Sequence, residues 1–296
     1  MSVITNPSES SQVSYLFRAK TKEAFVIKIL SELLSNASIK FAPIRIDNEG
    51  IHLCQADANN HQLINFTLHK ENFFGFRTTK PLNFLVNSSH FYKMLKSIKK
   101  KDTITLFIKD DDSSKLGICV ETSDENNKTN THIRITYNQP QVFTEPFGYN
   151  SPTIISNKEF QKMKNLHNIA KQMQVTCPYS GLIKFFCDGQ EVYEREVILG
   201  NECQDDDVCK EDIVEEYKQT FHTSHITGLT KCANQSGNVQ IFVHKDLPLK
   251  IKMKAGNLGD LTVYIKSKER MILEQKLEAE KKLQINSESN SVSENV

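Results

Sequence analysis

Apolar positions along the chain alternate between two spacings, near 2 and near 3.6 residues, and the alternation predicts the elements. Strand-like LFRAKT (16–21) precedes a helical stretch from Lys22, KEAFVIKILSELLSNA. Short alternating or β-branched runs follow: IKFAPIRID, GIHLCQAD, LINFTLH and PLNFLVN. A second helical stretch, SSHFYKMLKSIKK, starts at Ser88, and DTITLFIKD, KLGICVE and THIRITYN read as three further strands. The segment NQPQVFTEPFGYNSP, with internal prolines and a glycine, breaks the pattern and reads as a linker.

After the linker the order begins again. PTIIS is strand-like, NKEFQKMKNLHNIAKQM helical, and QVTCPYSG, LIKFFCDG and EVYEREVIL are strand-like. Beyond an acidic stretch, HTSHITGLTKCAN is helical and NVQIFVHKD, PLKIKMKA and DLTVYIKSK are strands. Ser89-His90 opens the second helix of the first half, as Ser224-His225 opens its counterpart. Halves of this length exceed solenoid units, so the expectation is an α+β protein of two similar domains in tandem. One large α+β domain with accidental echoes is the alternative. The expected boundaries are a disordered tail over 1–13, domains over 14–137 and 152–268, and a linker over 138–151. The extension 269–296 is expected to be helical at first, then disordered toward its Ser/Asn-rich end.

The helix from Ser88 carries the clearest chemistry. Phe91, Met94, Leu95 and Ile98 make one apolar face, and Lys93, Lys96 and Lys100 point away from it at 100° per residue. The helix dipole accounts for lysines at the C-terminal end, including Lys99 and Lys101, but poorly for Lys93 and Lys96. The other helices repeat the theme more weakly: Lys28 with Ser31, Glu32 and Ser35; Lys158 and Lys164 with Gln161, Asn165, Asn168 and Gln172; Lys231 with Ser224 and Thr227. Each of these alone also reads as an ordinary solvated face. Lysine and small amides on a helix suit phosphate contact without base readout.

Net charge is only +1, so a nucleic-acid surface would need uneven placement of charge. The seven cysteines are scattered without a CxxC pair, which predicts reduced thiols rather than zinc ligands or disulfide staples. No apolar run has the length of a membrane span and the N-terminus lacks a signal-peptide core, so a soluble intracellular protein without a membrane partner is expected. The acidic run from Asp205 to Glu216 reads as a solvated loop, with divalent-metal binding as the alternative, since EF-hand spacing is missing. There is no P-loop, and His90 and His225 read as helix-start residues rather than bases. A non-enzymatic protein with no cofactor is expected.

From about Phe17 to Lys268 the text resembles the sliding clamps of the proliferating cell nuclear antigen family. LFRAKT–KEAFVIKILSELL, the GIHLCQADANN run and LVNSSHFYKMLKSIKKKDTITL are similar to the first clamp domain. NKEFQKMKNLHNIAK and LTKCANQSGNVQIFVHKDLPLKIKMKAGNLGDLTVYIKSK are similar to the second. The resemblance implies a homotrimeric ring with helices lining a channel and antiparallel sheets outside, encircling double-stranded DNA. It implies lining positions at Lys28, Lys93, Lys96, Lys164 and Lys231, alongside Lys100 from periodicity. It also implies a pocket beneath the linker for peptides of DNA polymerase, clamp loader and other clamp-binding proteins. The pocket positions are Ala56, Asn60, Val142, Phe143, Pro248, Tyr264 and Ile265. Such a protein would act in the nucleus, or at a cytoplasmic replication site if it came from a large DNA virus. A monomeric or dimeric factor holding DNA by charge, and a peptide scaffold without DNA binding, remain as rivals. Balanced charge, Ala56 where a bulkier pocket residue is usual, and the extension after Lys268 depart from the family pattern.

Overall fold

A computed structural model describes residues 14–123, 127–139, 143–179, 181–190, 192–200 and 217–293. The first domain runs β1 (Tyr15–Thr21), α1 (Ala24–Asn36), β2 (Phe41–Ile46), β3 (Gly50–Ala56), β4 (Gln62–His69) and β5 (Gly75–Thr78). It continues with β6 (Leu82–Asn87), α2 (Ser88–Leu95), β7 (Thr103–Lys109), β8 (Lys115–Glu121) and β9 (Lys128–Tyr137). The second domain holds β10 (Thr153–Ser156), α3 (Asn157–Phe160), β11 (Gln172–Tyr179), β12 (Leu182–Asp188), β13 (Glu194–Gly200) and β14 (Tyr217–His222). Then come α4 (Thr223–Thr227), α5 (Thr230–Ala233), β15 (Asn238–Phe242), β16 (Leu249–Ala255), β17 (Gly259–Ile265) and α6 (Lys268–Ser293). No described helix is long and apolar enough to cross a membrane.

Strand alternation explains the layers. On β4, Gln62, Ile64, Phe66 and Leu68 are buried while their neighbours are half-exposed, and β6 repeats this with Leu82, Phe84 and Val86. Period-2 patterning puts these side chains on one face, against α1 and α2. Asn87 caps α2 by accepting the His90 N–H at 3.0 Å. Ser156 and Glu159 form a capping box that starts α3.

The two domains share one sheet. β17 pairs antiparallel with β4 over seven residues, from Gly259 opposite Leu68 to Ile265 opposite Gln62. Here the backbones approach so closely that a Cβ on Gly259 would stand 1.8 Å from the Thr67 carbonyl oxygen, so only glycine fits. The strand order is β10-β15-β16-β17-β4-β3-β2-β6-β9-β8-β7-β1-β5, with β13-β12-β11-β14 forming a separate four-stranded sheet. β17 is buried along nearly its whole length, as befits a central strand covered on both faces.

Several elements differ from the sequence expectation. The second helix ends at Leu95, and the Asp102 carboxylate takes the Lys99 N–H at 2.8 Å, closing a turn before β7. Lys100 therefore lies beyond the helix. The third helical stretch is one α-turn followed by two 3₁₀ turns (161–163 and 166–168), and Gln172 and Met173 belong to β11. Met173, Val175 and Cys177 alternate into the core, so period 2 overrides the helical reading there. The fourth stretch breaks between α4 and α5. β5 and β14 were not expected, being a short edge piece and a strand hidden beside the acidic run. α6 spans Lys268–Ser293. The tail 1–13 and the acidic run 205–216 lie outside the described residues.

Candidate nucleic-acid interface and linker pocket

Helices of both domains meet on the same side of the joined sheet, where α5 contacts α1 through the Lys231–Glu32 ion pair. The six expected lysines fall into two groups. Lys28 is half-buried, donates to the Ile98 carbonyl at 2.9 Å and lies 5.2 Å from the Phe25 ring centre. Lys231 is engaged by Glu32, whose carboxylate raises the lysine pKa through a hydrogen bond. These two cations are partly committed within the chain. Lys93, Lys96 and Lys164 are exposed and, among the described residues, have no ion pair. Lys100 is exposed in the turn after α2, 5.8 Å from the Phe25 ring centre. Ser31, expected on the polar face of α1, is buried and bonds the Lys28 carbonyl at 2.7 Å. Gln161 likewise donates to the Thr230 carbonyl and ties α5 to the turn after α3.

The linker lies along the opposite face of the sheet. Phe143 is half-buried over a cleft of about 300 Å³ that also presents Pro43, Leu53, Cys54, Asn65 and Glu145. At its edge the amide oxygens of Asn83 and Asn138 are buried without a described partner. Glu145 straps the linker to both domains, accepting from Asn65 on β4 and from the Tyr264 hydroxyl on β17. Burial, then the Glu145 charge, pushes the Cys54 thiol up to about 11, so it stays protonated at neutral pH. Phe147 is 86% exposed. Tyr149 turns back in, packing against Phe242, His244 and Tyr264 and donating to the Pro248 carbonyl at 2.7 Å.

Of the expected pocket positions, Pro248 and Tyr264 meet beside Tyr149, and Phe143 stands further along the same linker. Ala56 is half-buried at the end of β3, and Asn60 sits exposed in the next turn with φ 56. Ile265 is wholly buried between Leu249 and Gln62, so its side chain offers no docking surface. Val142 lies outside the described residues. Sequence reasoning passed over Lys250, whose ammonium sits 4.8 to 5.7 Å from the ring centres of Phe242, Tyr149 and Tyr264. Its place in alternating KIKMKA was visible; the three rings around it were not.

His225 does not simply open a helix. Its ring lies 5.3 Å from that of His222 and 6.2 Å from that of His61, bringing α4 against the β3–β4 turn of the first domain. Burial, and then the neighbouring His222, lowers the His225 pKa to about 4. Among the described residues no group of three His, Cys, Asp or Glu side chains is arranged to hold a metal ion. Cys54, Cys119, Cys187 and Cys232 are free thiols.

Two domains of one plan, joined edge to edge with their helices on one side, define the α+β DNA-clamp fold. Residues 16–139 match the family model of the proliferating cell nuclear antigen N-terminal domain, and residues 144–268 match that of its C-terminal domain. The chain belongs to the proliferating cell nuclear antigen family. A relative from Paramecium bursaria Chlorella virus 1, described as a probable DNA polymerase sliding clamp 1, is 21% identical over 259 residues. The similarity spans 84% of this chain and 96% of the relative.

Proposed function

We propose that this chain is a DNA sliding clamp, a processivity factor that encircles duplex DNA and tethers a polymerase. The observation that carries the reading is the pair of family domains sharing one sheet, with exposed Lys93, Lys96 and Lys164 on the helical side. Lysine–phosphate contacts without base-edge recognition let a protein move along DNA, and tethering raises the polymerase's effective concentration without catalysis.

Ring closure would come from two open sheet edges. Among the described residues the Lys128–Arg134 portion of β9 pairs only with β8, and β13 ends its four-stranded sheet. One edge carries Arg134 and Lys128, the latter already paired with Glu121, and the other carries Glu194 and Glu196 with Arg195 between them, so head-to-tail pairing can set Arg134 against a carboxylate. Three copies are the expected number. Partner peptides, from polymerase and clamp loader among others, would dock at the linker cleft beside half-buried Phe143, over Pro248 and Tyr264, which are themselves buried. The site of action is the nucleus, or a cytoplasmic replication site if the chain is viral.

Light scattering over a dilution series, paired with retention on circular DNA, tests the reading. A stable trimer that stays on a closed circle and leaves after linearisation supports it. A persistent monomer whose log affinity falls linearly with log salt, indifferent to DNA ends, replaces it with a charge-held factor. In the ring, Lys93→Ala with Lys96→Ala weakens loading and retention while leaving the unfolding midpoint unchanged; wild-type behaviour at low and moderate salt removes both lysines from the channel.

A further inference from the structure

The outer face of the first domain is unlike a passive exterior. On β1, Phe17, Ala19 and Thr21 point into the core, which turns Arg18 and Lys20 outward. Arg18 stands directly opposite Arg77 on β5, both exposed. Like charges facing each other across a strand pair destabilise it, and among the described residues neither guanidinium has an ion pair. The neighbouring Lys20 is already bound to Glu121 at 2.8 Å, and Lys115 to Asp112 at 2.8 Å. Lys109, opposite Tyr15, adds a third cation without an ion pair among the described residues, while Asp110 and Asp111 follow it directly and open the turn to β8.

Aromatic rings flank these charges. Arg18 lies 5.7 Å from the ring centre of Tyr15, and Phe74, 67% exposed, carries Lys22 at 5.1 Å. Together Tyr15, Arg18, Phe74 and Arg77 line a trough of about 640 Å³. A second hollow, with Lys22, Lys100, Lys101 and Lys128 against Glu23 and Glu121, continues from the turn after α2 toward this sheet. A cationic track thus rounds the domain edge from the helical side to the outside.

We propose that this trough binds single-stranded nucleic acid, with Arg18 and Arg77 converging on a backbone phosphate and Tyr15 and Phe74 stacking unpaired bases. Two guanidinium groups without an ion pair among the described residues favour an anion, and the exposed Phe74 and half-buried Tyr15 rings at the margins of a basic groove suit bases rather than carboxylates. The site faces away from the lysines of the helical side and does not depend on ring closure.

The test is anisotropy of a short labelled oligothymidylate titrated with the full-length protein across a salt series. Arg18→Gln with Arg77→Gln weakens binding several-fold and makes the log–log salt slope shallower by about 0.7, the single-strand value for the one phosphate the two arginines share. Phe74→Ala weakens binding with the slope unchanged, and its exposed position keeps the fold intact. In a Lys93→Ala, Lys96→Ala background the two arginine substitutions weaken oligothymidylate binding by the same factor as in the wild-type chain, which separates the trough from the helical lysines. The proposal is overturned if the arginine variant binds as wild type, if binding follows the helical lysines instead, or if the wild-type protein binds only a polyglutamate peptide and no oligonucleotide.

Discussion

Replacing Tyr149 probes how the linker is held. Its ring is half-buried among Phe242, His244 and Tyr264, its hydroxyl donates to the Pro248 carbonyl, and Lys250 lies 5.2 Å from its centre. A half-buried tyrosine removes on the order of 100 Å² from water, about 2.5 kcal/mol. The hydrogen bond contributes about 1 kcal/mol and the ammonium contact about 0.5 kcal/mol. Tyr149→Ala is therefore expected to cost about 3–4 kcal/mol in urea unfolding, and Tyr149→Phe about 1 kcal/mol. Both are measured at one protein concentration, because subunit association adds to apparent stability. Limited proteolysis supplies the local readout: the alanine chain is cut sooner within the linker, while phenylalanine is cut nearly as slowly as wild type. Alanine destabilisation below about 0.5 kcal/mol with unchanged cleavage would refute the reasoning, because it would mean that Glu145 alone holds the strap.

Glu32 neutralises Lys231 on the helical side, so Glu32→Gln frees a cation there. DNA binding should tighten and its salt slope steepen by about 0.9 per freed lysine in contact; an unchanged slope would place Lys231 away from the phosphates. His225 is held neutral with its pKa lowered to about 4, while the unfolded chain protonates near 6.5. Across that window the unfolded state binds more protons, so His225 lowers stability as pH falls from about 6.5 toward 4. The cost is about 2 kcal/mol after allowing for water at its exposed edge. His222 and His61 add repulsion on protonation and Asp57 opposes it. His225→Gln should flatten this part of the pH–stability curve, and an equally steep variant curve would assign the loss to other groups.

The sequence by itself determined the repeat, the linker and most strands, because a side chain's place on a strand depends on local alternation. It also determined which helical faces carry lysine: Phe91 and Leu95 face the core, and Lys93 and Lys96 do not, whatever the helix later touches. Helix ends were less legible: α2 stops at Leu95 although Ile98 continues its apolar periodicity, and Asp102 closes a separate turn at Lys99. Only tertiary structure decided which charges stay free. Lys231 meets Glu32 from 199 residues away, whereas Lys93 meets no described carboxylate. Only tertiary structure, too, set Arg18 against Arg77 and gathered three rings around Lys250, through strand pairings and linker contacts between distant segments. Periodicity reports the direction of a side chain relative to its own element; what stands opposite depends on long-range register, which each short run leaves open.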